Sequence, residues 1–125
     1  MVLPAVIFAV CIAIAVLFQF ALALGAPWGQ LAMGGRFPGK FPTAMRIAAV
    51  VQAILLSLLA VIVMVRSHIL LPNYYEHSLY GIWVVVGICA LSAIMNLITP
   101  SKWERIIWAP IGVILFTSSL LVAMS

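Results

Sequence analysis

The chain has 125 residues, of which 67% are hydrophobic and 6% charged, with six Lys or Arg against two Glu. A soluble domain carries about 25% charged residues, so this chain has too little charge to coat a water-facing surface. A soluble globular domain, a disordered tail and a nucleic-acid-binding module are therefore excluded.

Four long apolar stretches divide the chain and predict transmembrane helices over about residues 2–24, 44–66, 79–98 and 102–124. About 20 residues that rise 1.5 Å each cross a hydrocarbon core of roughly 30 Å. Helices are expected because lipid cannot satisfy backbone N–H and C=O groups, and because the alternation of a membrane barrel is missing. The sequence predicts an all-α polytopic membrane protein, residues 1–125 forming one up-down bundle of four transmembrane helices.

The first stretch has two interpretations, because Ala21-Leu22-Ala23 looks like a signal-peptide cleavage site. No Lys or Arg precedes the stretch, and its apolar run is longer than the core of a signal peptide. We therefore expect a retained first helix.

The longest loop, Gly25 to Pro42, contains five Gly and three Pro and is predicted to be rich in turns. Arg36 and Lys40 lie among the glycines, so backbone amides and two cations could hold a phosphate or an anionic lipid head group. The spacing of a P-loop is missing. The alternative is a structured connector that folds back on the membrane surface, which lipid contact would not contradict.

The distribution of Lys and Arg predicts the orientation. Five of the six cations flank the first and third loops, and Arg66 alone lies at the second. By the positive-inside rule, residues 25–43 and 99–105 are expected in the cytoplasm and both termini outside the cell membrane. The lipid- or anion-binding candidates are therefore the five cations of that side: Arg36, Lys40, Arg46, Lys102 and Arg105.

Polar residues within the spans form the next group. Gln19, Gln52 and Asn96 would all lie in the cytoplasmic half, and we predict a buried polar cluster there. Such a cluster could bind a small polar solute or a head group. The alternative is interhelical hydrogen bonding, worth about 0.6 kcal/mol for each bond.

The outer loop contains two His beside a carboxylate, which raises the question of a metal or pH-sensing site. The spacing of His68, Glu76 and His77 matches no metal motif. We therefore expect a solvated interfacial loop and predict no metal site; the role of the two His is left open.

Helix starts carry local signals. Thr43 is predicted to be the N-cap of the second helix. Ser101 and Glu104 match a capping box, with Pro100 at the first helical position as a competing register. Glu104 is therefore expected to be a structural carboxylate rather than a catalytic one. Pro110 predicts a kink in the fourth helix.

Two loop motifs carry a family resemblance. Gly25-Ala26-Pro27-Trp28-Gly29 is followed by Gly34-Gly35 and Pro42, and Asn96 is followed by Pro100-Ser101 and Glu104-Arg105. In these motifs the chain resembles small uncharacterised four-span bacterial membrane proteins. The resemblance implies a bacterial inner-membrane location and no particular activity.

Three functional hypotheses follow. The first is a non-enzymatic membrane protein that binds lipid head groups or a partner subunit through its basic glycine-rich loop. The second is an oligomeric small-solute transporter or channel, although no Asp or Glu lies within the spans to couple ions. The third is a lipid-modifying enzyme using Glu104, Arg105, Arg46 and Asn96. We favour the first, so no catalytic residue and no cofactor are predicted; partners would be anionic membrane lipids, a further copy of the chain or another subunit.

Overall fold

Four long helices form the protein. The computed structural model describes residues 2–125, which contain α1 (Val2–Leu24), α2 (Thr43–Arg66), α3 (Tyr75–Ile98) and α4 (Lys102–Met124) and no strand. All four helices are long and apolar enough to cross a membrane. The predicted all-α bundle of four membrane-spanning helices is confirmed.

Two helix starts differ from the sequence expectation. α3 begins at Tyr75 rather than near residue 79, because its first turn is polar and extends beyond the apolar stretch. Thr43 is already the first residue of α2, so its prediction as the N-cap was wrong. Pro42 occupies the N-cap position, and its carbonyl accepts a hydrogen bond from the Arg46 N–H at 3.0 Å.

The helices enclose a core that lies mainly in the half of the bundle near the chain termini. α1 lies beside α2 and α4, and α3 lies beside α4 and α2. Phe8, Val63, Ile82 and Val122 are fully buried at the centre of this core. The outer surface is apolar as well: Leu17 is 69% exposed, as expected where lipid rather than water surrounds a bundle.

Small residues bring α3 and α4 together. A Cβ atom on Gly112 would lie 3.2 Å from the Cα atom of Ala93, so the two backbones approach closely at this point. Such close packing drives helix association in lipid, where burial of apolar surface adds little. α4 continues as one helix through Pro110 to Met124.

Candidate functional site

The glycine-rich loop (residues 25–42) is ordered by contacts within itself. Its two short 3₁₀ turns are Gly29–Leu31 and Met33–Gly35. The N–H of Gly29 donates to the carbonyl of Gly39 at 2.8 Å, which closes the loop at its base. Phe41 is buried and packs with Leu22 and Ala49 in a second, smaller core.

Aromatic stacking holds the first residues of the loop against the bundle. The ring of Phe18 on α1 lies 6.4 Å from that of Trp28 and is nearly parallel to it. The same ring lies 4.8 Å from that of Trp108 on α4. The start of the loop is thereby attached to two helices.

The loop is also bonded to the start of α4. The N–H of Gly34 donates to Oε2 of Glu104 at 2.9 Å, and the Ser101 hydroxyl donates to the carbonyl of Gln30 at 2.7 Å. These bonds join residues about 70 positions apart in the chain. The glycine-rich loop and the loop before α4 therefore form a single layer at one end of the bundle, which we call the loop end.

Of the two hydrogen bonds of the predicted capping box, the one from the Glu104 N–H to the Ser101 hydroxyl forms. Ser101 is the N-cap of α4, and its Oγ accepts from the N–H of Glu104 at 3.3 Å. The reciprocal bond is replaced, because the Ser101 N–H donates to Oγ1 of Thr99 and the Glu104 carboxylate accepts from Gly34 instead. Glu104 is 8% exposed and has a structural role that links two loops.

Replacing Ser101 with Ala tests this double role. We expect a loss of about 2 kcal/mol in the free energy of unfolding, about 1 for the N-cap and about 1 for the bond to Gln30. Unfolding by sodium dodecyl sulfate in mixed micelles, followed by circular dichroism, measures the change. Thr43→Ala is the matched control and should stay within about 0.5 kcal/mol of the parent, since Thr43 makes no side-chain cap. Equal losses in the two variants would contradict the assignment.

Five cations collect at the loop end: Arg36, Lys40, Arg46, Lys102 and Arg105, which together we call the basic surface. All are exposed except Arg46, which is half-buried. The only two carboxylate side chains in the sequence are Glu76, in the first turn of α3 at the opposite end of the bundle, and Glu104, which the loop engages. The positive charge of this surface is therefore left for solvent or for ligands.

Two of these cations lie at the C-terminal end of α1. The helix ends in a Schellman motif, in which Gly25 N–H donates to Leu22 and Ala26 N–H to Ala21. The next carbonyl, that of Ala23, accepts from Nε of Arg46 at 2.7 Å. A Cβ atom on Gly25 would lie 3.5 Å from Nζ of Lys40 and 3.7 Å from Nη2 of Arg46. Both cations therefore stand where the helix dipole is negative, which stabilises them.

Arg105 occupies the corresponding position at the end of α3. Its Nη2 donates to the carbonyl of Thr99, the C-cap of that helix, at 2.9 Å. Lys102, in the turn of α4 before it, is exposed. The basic surface thus consists of side chains from the glycine-rich loop, α2 and α4.

One of the three residues of the predicted buried polar cluster is exposed, and the other two are half-buried. Gln52 is exposed on the outer face of α2, so its assignment to a buried cluster is corrected. Asn96 is half-buried, and its Nδ2 donates to the carbonyl of Trp108 at 3.5 Å. Gln19 is half-buried on α1. Sequence reasoning placed these residues at similar depth but could not establish which way each side chain points.

The opposite end of the bundle contains a residue that sequence reasoning used only for its charge. Arg66 ends α2 and is 8% exposed. Its Nη2 donates to the main-chain oxygen of Ser125 at 2.7 Å, and its Nη1 to the Tyr75 hydroxyl at 3.4 Å. His68 stacks on the Tyr75 ring at 4.1 Å, while residues 68–74 are exposed, as predicted for a solvated loop. Arg66 joins the ends of three helices.

The potential metal ligands of residues 2–125 are dispersed. Over residues 2–125, no group of three or more His, Cys, Asp or Glu lies close enough together to hold a metal ion. His77 lines an apolar groove between α2 and α3, beside Tyr74 and Ser78. Cys11 and Cys89 are free thiols within the spans.

The fold and this end layer define a small integral membrane protein of four spanning helices. Comparisons with protein-family models, with curated proteins and with solved structures found no match to the chain.

Proposed function

We propose that this is a non-enzymatic inner-membrane protein that binds anionic lipid head groups through its basic surface. One observation carries the proposal. Five cations share the loop end, while the single carboxylate of that end is buried and bonded to Gly34 rather than to any of them. Each unpaired Lys or Arg near an anionic membrane surface contributes about 1 kcal/mol of attraction.

The orientation belongs to the same proposal. Placing the loop end in the cytoplasm satisfies the positive-inside rule, with both termini on the outer side. The cytoplasmic leaflet then supplies the anionic head groups. Snorkelling of Lys and Arg side chains brings their charges to the level of the phosphates.

The order of the glycine-rich loop favours a role in lipid binding over the alternative that its cations only set the membrane orientation. The Gly29–Gly39 hydrogen bond and the Glu104 bond to Gly34 hold the segment that carries Arg36 and Lys40. Pre-organised cations lose less conformational entropy on binding than cations of a mobile loop do.

The double variant Arg36→Ala with Lys40→Ala tests the proposal. We expect it to weaken retention of phosphatidylglycerol by about 2 kcal/mol, since two charges are removed. Native mass spectrometry of the purified protein in detergent measures the retained lipid, with phosphatidylcholine as the zwitterionic comparison.

The control is the double variant Asn73→Ala with His77→Ala, which changes two exposed polar residues at the other end of the bundle. It should retain phosphatidylglycerol as the parent does. Unchanged retention after loss of Arg36 and Lys40, or no preference of the parent for the anionic lipid, would refute the proposed function.

A further inference from the structure

An apolar groove lies on the outer face of α4 and is bordered by Leu97 of α3; we call it the α3–α4 groove. It is wide open to the surroundings, has a volume of about 690 Å³, and has Arg105 at one end. Ala109 is 5% exposed at its floor, and Val113 is 44% exposed at its side. The other lining residues are Leu97, Ile106, Pro110 and Ile114.

The groove has one charged end because of the helical register. Lys102, Arg105, Ala109 and Val113 recur at three- and four-residue spacing and so share one face of α4. The eight helical steps from Arg105 to Val113 rise about 12 Å. The groove therefore starts at the loop end and descends through most of one leaflet, whose hydrocarbon half is about 15 Å thick.

The groove is a depression because small side chains lie at its centre. Ala109 and Pro110 carry short side chains between the larger Ile106 and Val113, and Leu97 of α3 forms part of the lining. An open apolar depression lined by these side chains offers a surface on which a flexible hydrocarbon chain can lie.

The guanidinium of Arg105 is fixed at the mouth of the groove. One of its N–H groups donates to the Thr99 carbonyl. A guanidinium has five N–H donors, so the others remain for a ligand, and Arg binds phosphate oxygens with two parallel hydrogen bonds. A cation at the membrane surface above an apolar channel is complementary to a lipid phosphate above its acyl chain.

We infer that the α3–α4 groove binds one anionic phospholipid, with an acyl chain between Leu97 and Val113 and the phosphate on Arg105 and Lys102. This inference rests on the proposed function and refines it, because it replaces a diffuse attraction with one defined site. It assigns to Arg105 the role of the principal head-group ligand.

Two variants test the inference in the full-length protein. Val113→Trp fills the groove, and Arg105→Ala removes the phosphate ligand. Each should lower retention of a single phosphatidylglycerol by about tenfold in native mass spectrometry, because each removes one half of the site. Val51→Trp is the matched control on the exposed face of α2, where Val51 is 51% exposed, and should stay within about twofold of the parent. Helix content by circular dichroism identifies any variant that fails to fold.

A second experiment distinguishes the contribution of the lipid's acyl chain to binding from that of its head group. Water-soluble glycerophosphoglycerol, which has no acyl chain, should not displace the bound lipid at equal concentration, whereas the single-chain lyso-lipid should. Displacement by the soluble head group would overturn the assignment of the groove.

The remaining outcomes distinguish this inference from the proposed function. If Val113→Trp retains lipid normally while the Arg36 and Lys40 double variant retains less, the groove is not the lipid site. The proposed binding by the basic surface then still stands. If instead Val113→Trp retains less lipid and the Arg36 and Lys40 double variant retains it normally, the groove stands as the lipid site. The role proposed for the glycine-rich loop is then refuted. If Val113→Trp converts a dimer into a monomer with no change in lipid, the groove holds a second copy of the chain and the inference is wrong.

Discussion

Substituting Ala for Gly29 is expected to lower the free energy of unfolding by about 3 kcal/mol. The added Cβ would lie 1.8 Å from the carbonyl oxygen of Phe37 and 2.7 Å from that of Gly39. Both atoms belong to the backbone, so no side-chain rotation can relieve the overlap. Any shift of Gly29 also lengthens its 2.8 Å hydrogen bond to Gly39. The loop must open at its base.

Trypsin reports on that opening, since it cleaves after Arg36, which lies between the two bonded glycines, and after Lys40, which directly follows Gly39. Cleavage should be faster in Gly29→Ala than in the parent, and detergent-induced unfolding should begin at a lower denaturant fraction.

Gly87→Ala is the matched control. Gly87 lies within α3, and a Cβ there would meet nothing within 4 Å. Since Ala is a better helix former, this change should be neutral or stabilising by up to about 1 kcal/mol. Equal behaviour of the two variants would mean that the loop does not close on Gly29.

The second large effect is expected at Glu104. Glu104→Ala removes the acceptor for the Gly34 N–H and a carboxylate from the first turn of α4. A hydrogen bond to a charged group contributes about 1.5–3 kcal/mol and the helix dipole about 0.3–1. We therefore expect a loss of about 2–4 kcal/mol, together with faster tryptic cleavage of the glycine-rich loop.

Two further variants separate the hydrogen bond from the charge. Glu104→Gln retains an amide oxygen that can accept from Gly34, so it should lose less than half as much stability as Glu104→Ala. Glu76→Ala is the matched control: Glu76 also lies in the first turn of a helix but is exposed. Its loss should be below about 1 kcal/mol. A Glu104→Ala variant as stable as Glu76→Ala would show that the bond between the loops contributes nothing.

The connection between the loops also bears on the proposed binding of lipid. Glu104 holds the loop that carries Arg36, and Arg105 is its neighbour on α4. Under the proposed function, a stable loop end would hold these cations at the depth of the lipid phosphates, which would couple the stability of the layer to the affinity for lipid.

Local signals explain where sequence reasoning agrees with the structure and where it does not. Ser101 was recognisable as an N-cap because the motif involves residues three apart. Thr43 carried a similar signal, but Pro42 already adopts the extended conformation of an N-cap, which leaves Thr43 in the first turn. Gln52 was misplaced because depth follows from residue number, whereas the direction of a side chain depends on how the helix is rotated against its neighbours.

The number of spans and the all-helical class followed from the residues alone, because hydrocarbon length and backbone hydrogen bonding are properties of each segment taken separately. Only the tertiary structure shows that the carboxylate of Glu104 accepts a hydrogen bond from Gly34 rather than from its own helix start. Only the tertiary structure shows that Arg66 is buried among three helix ends. It was also needed for the groove below Arg105, whose walls come from two helices. These features depend on contacts between residues far apart in sequence, and no local pattern of residue types encodes such contacts.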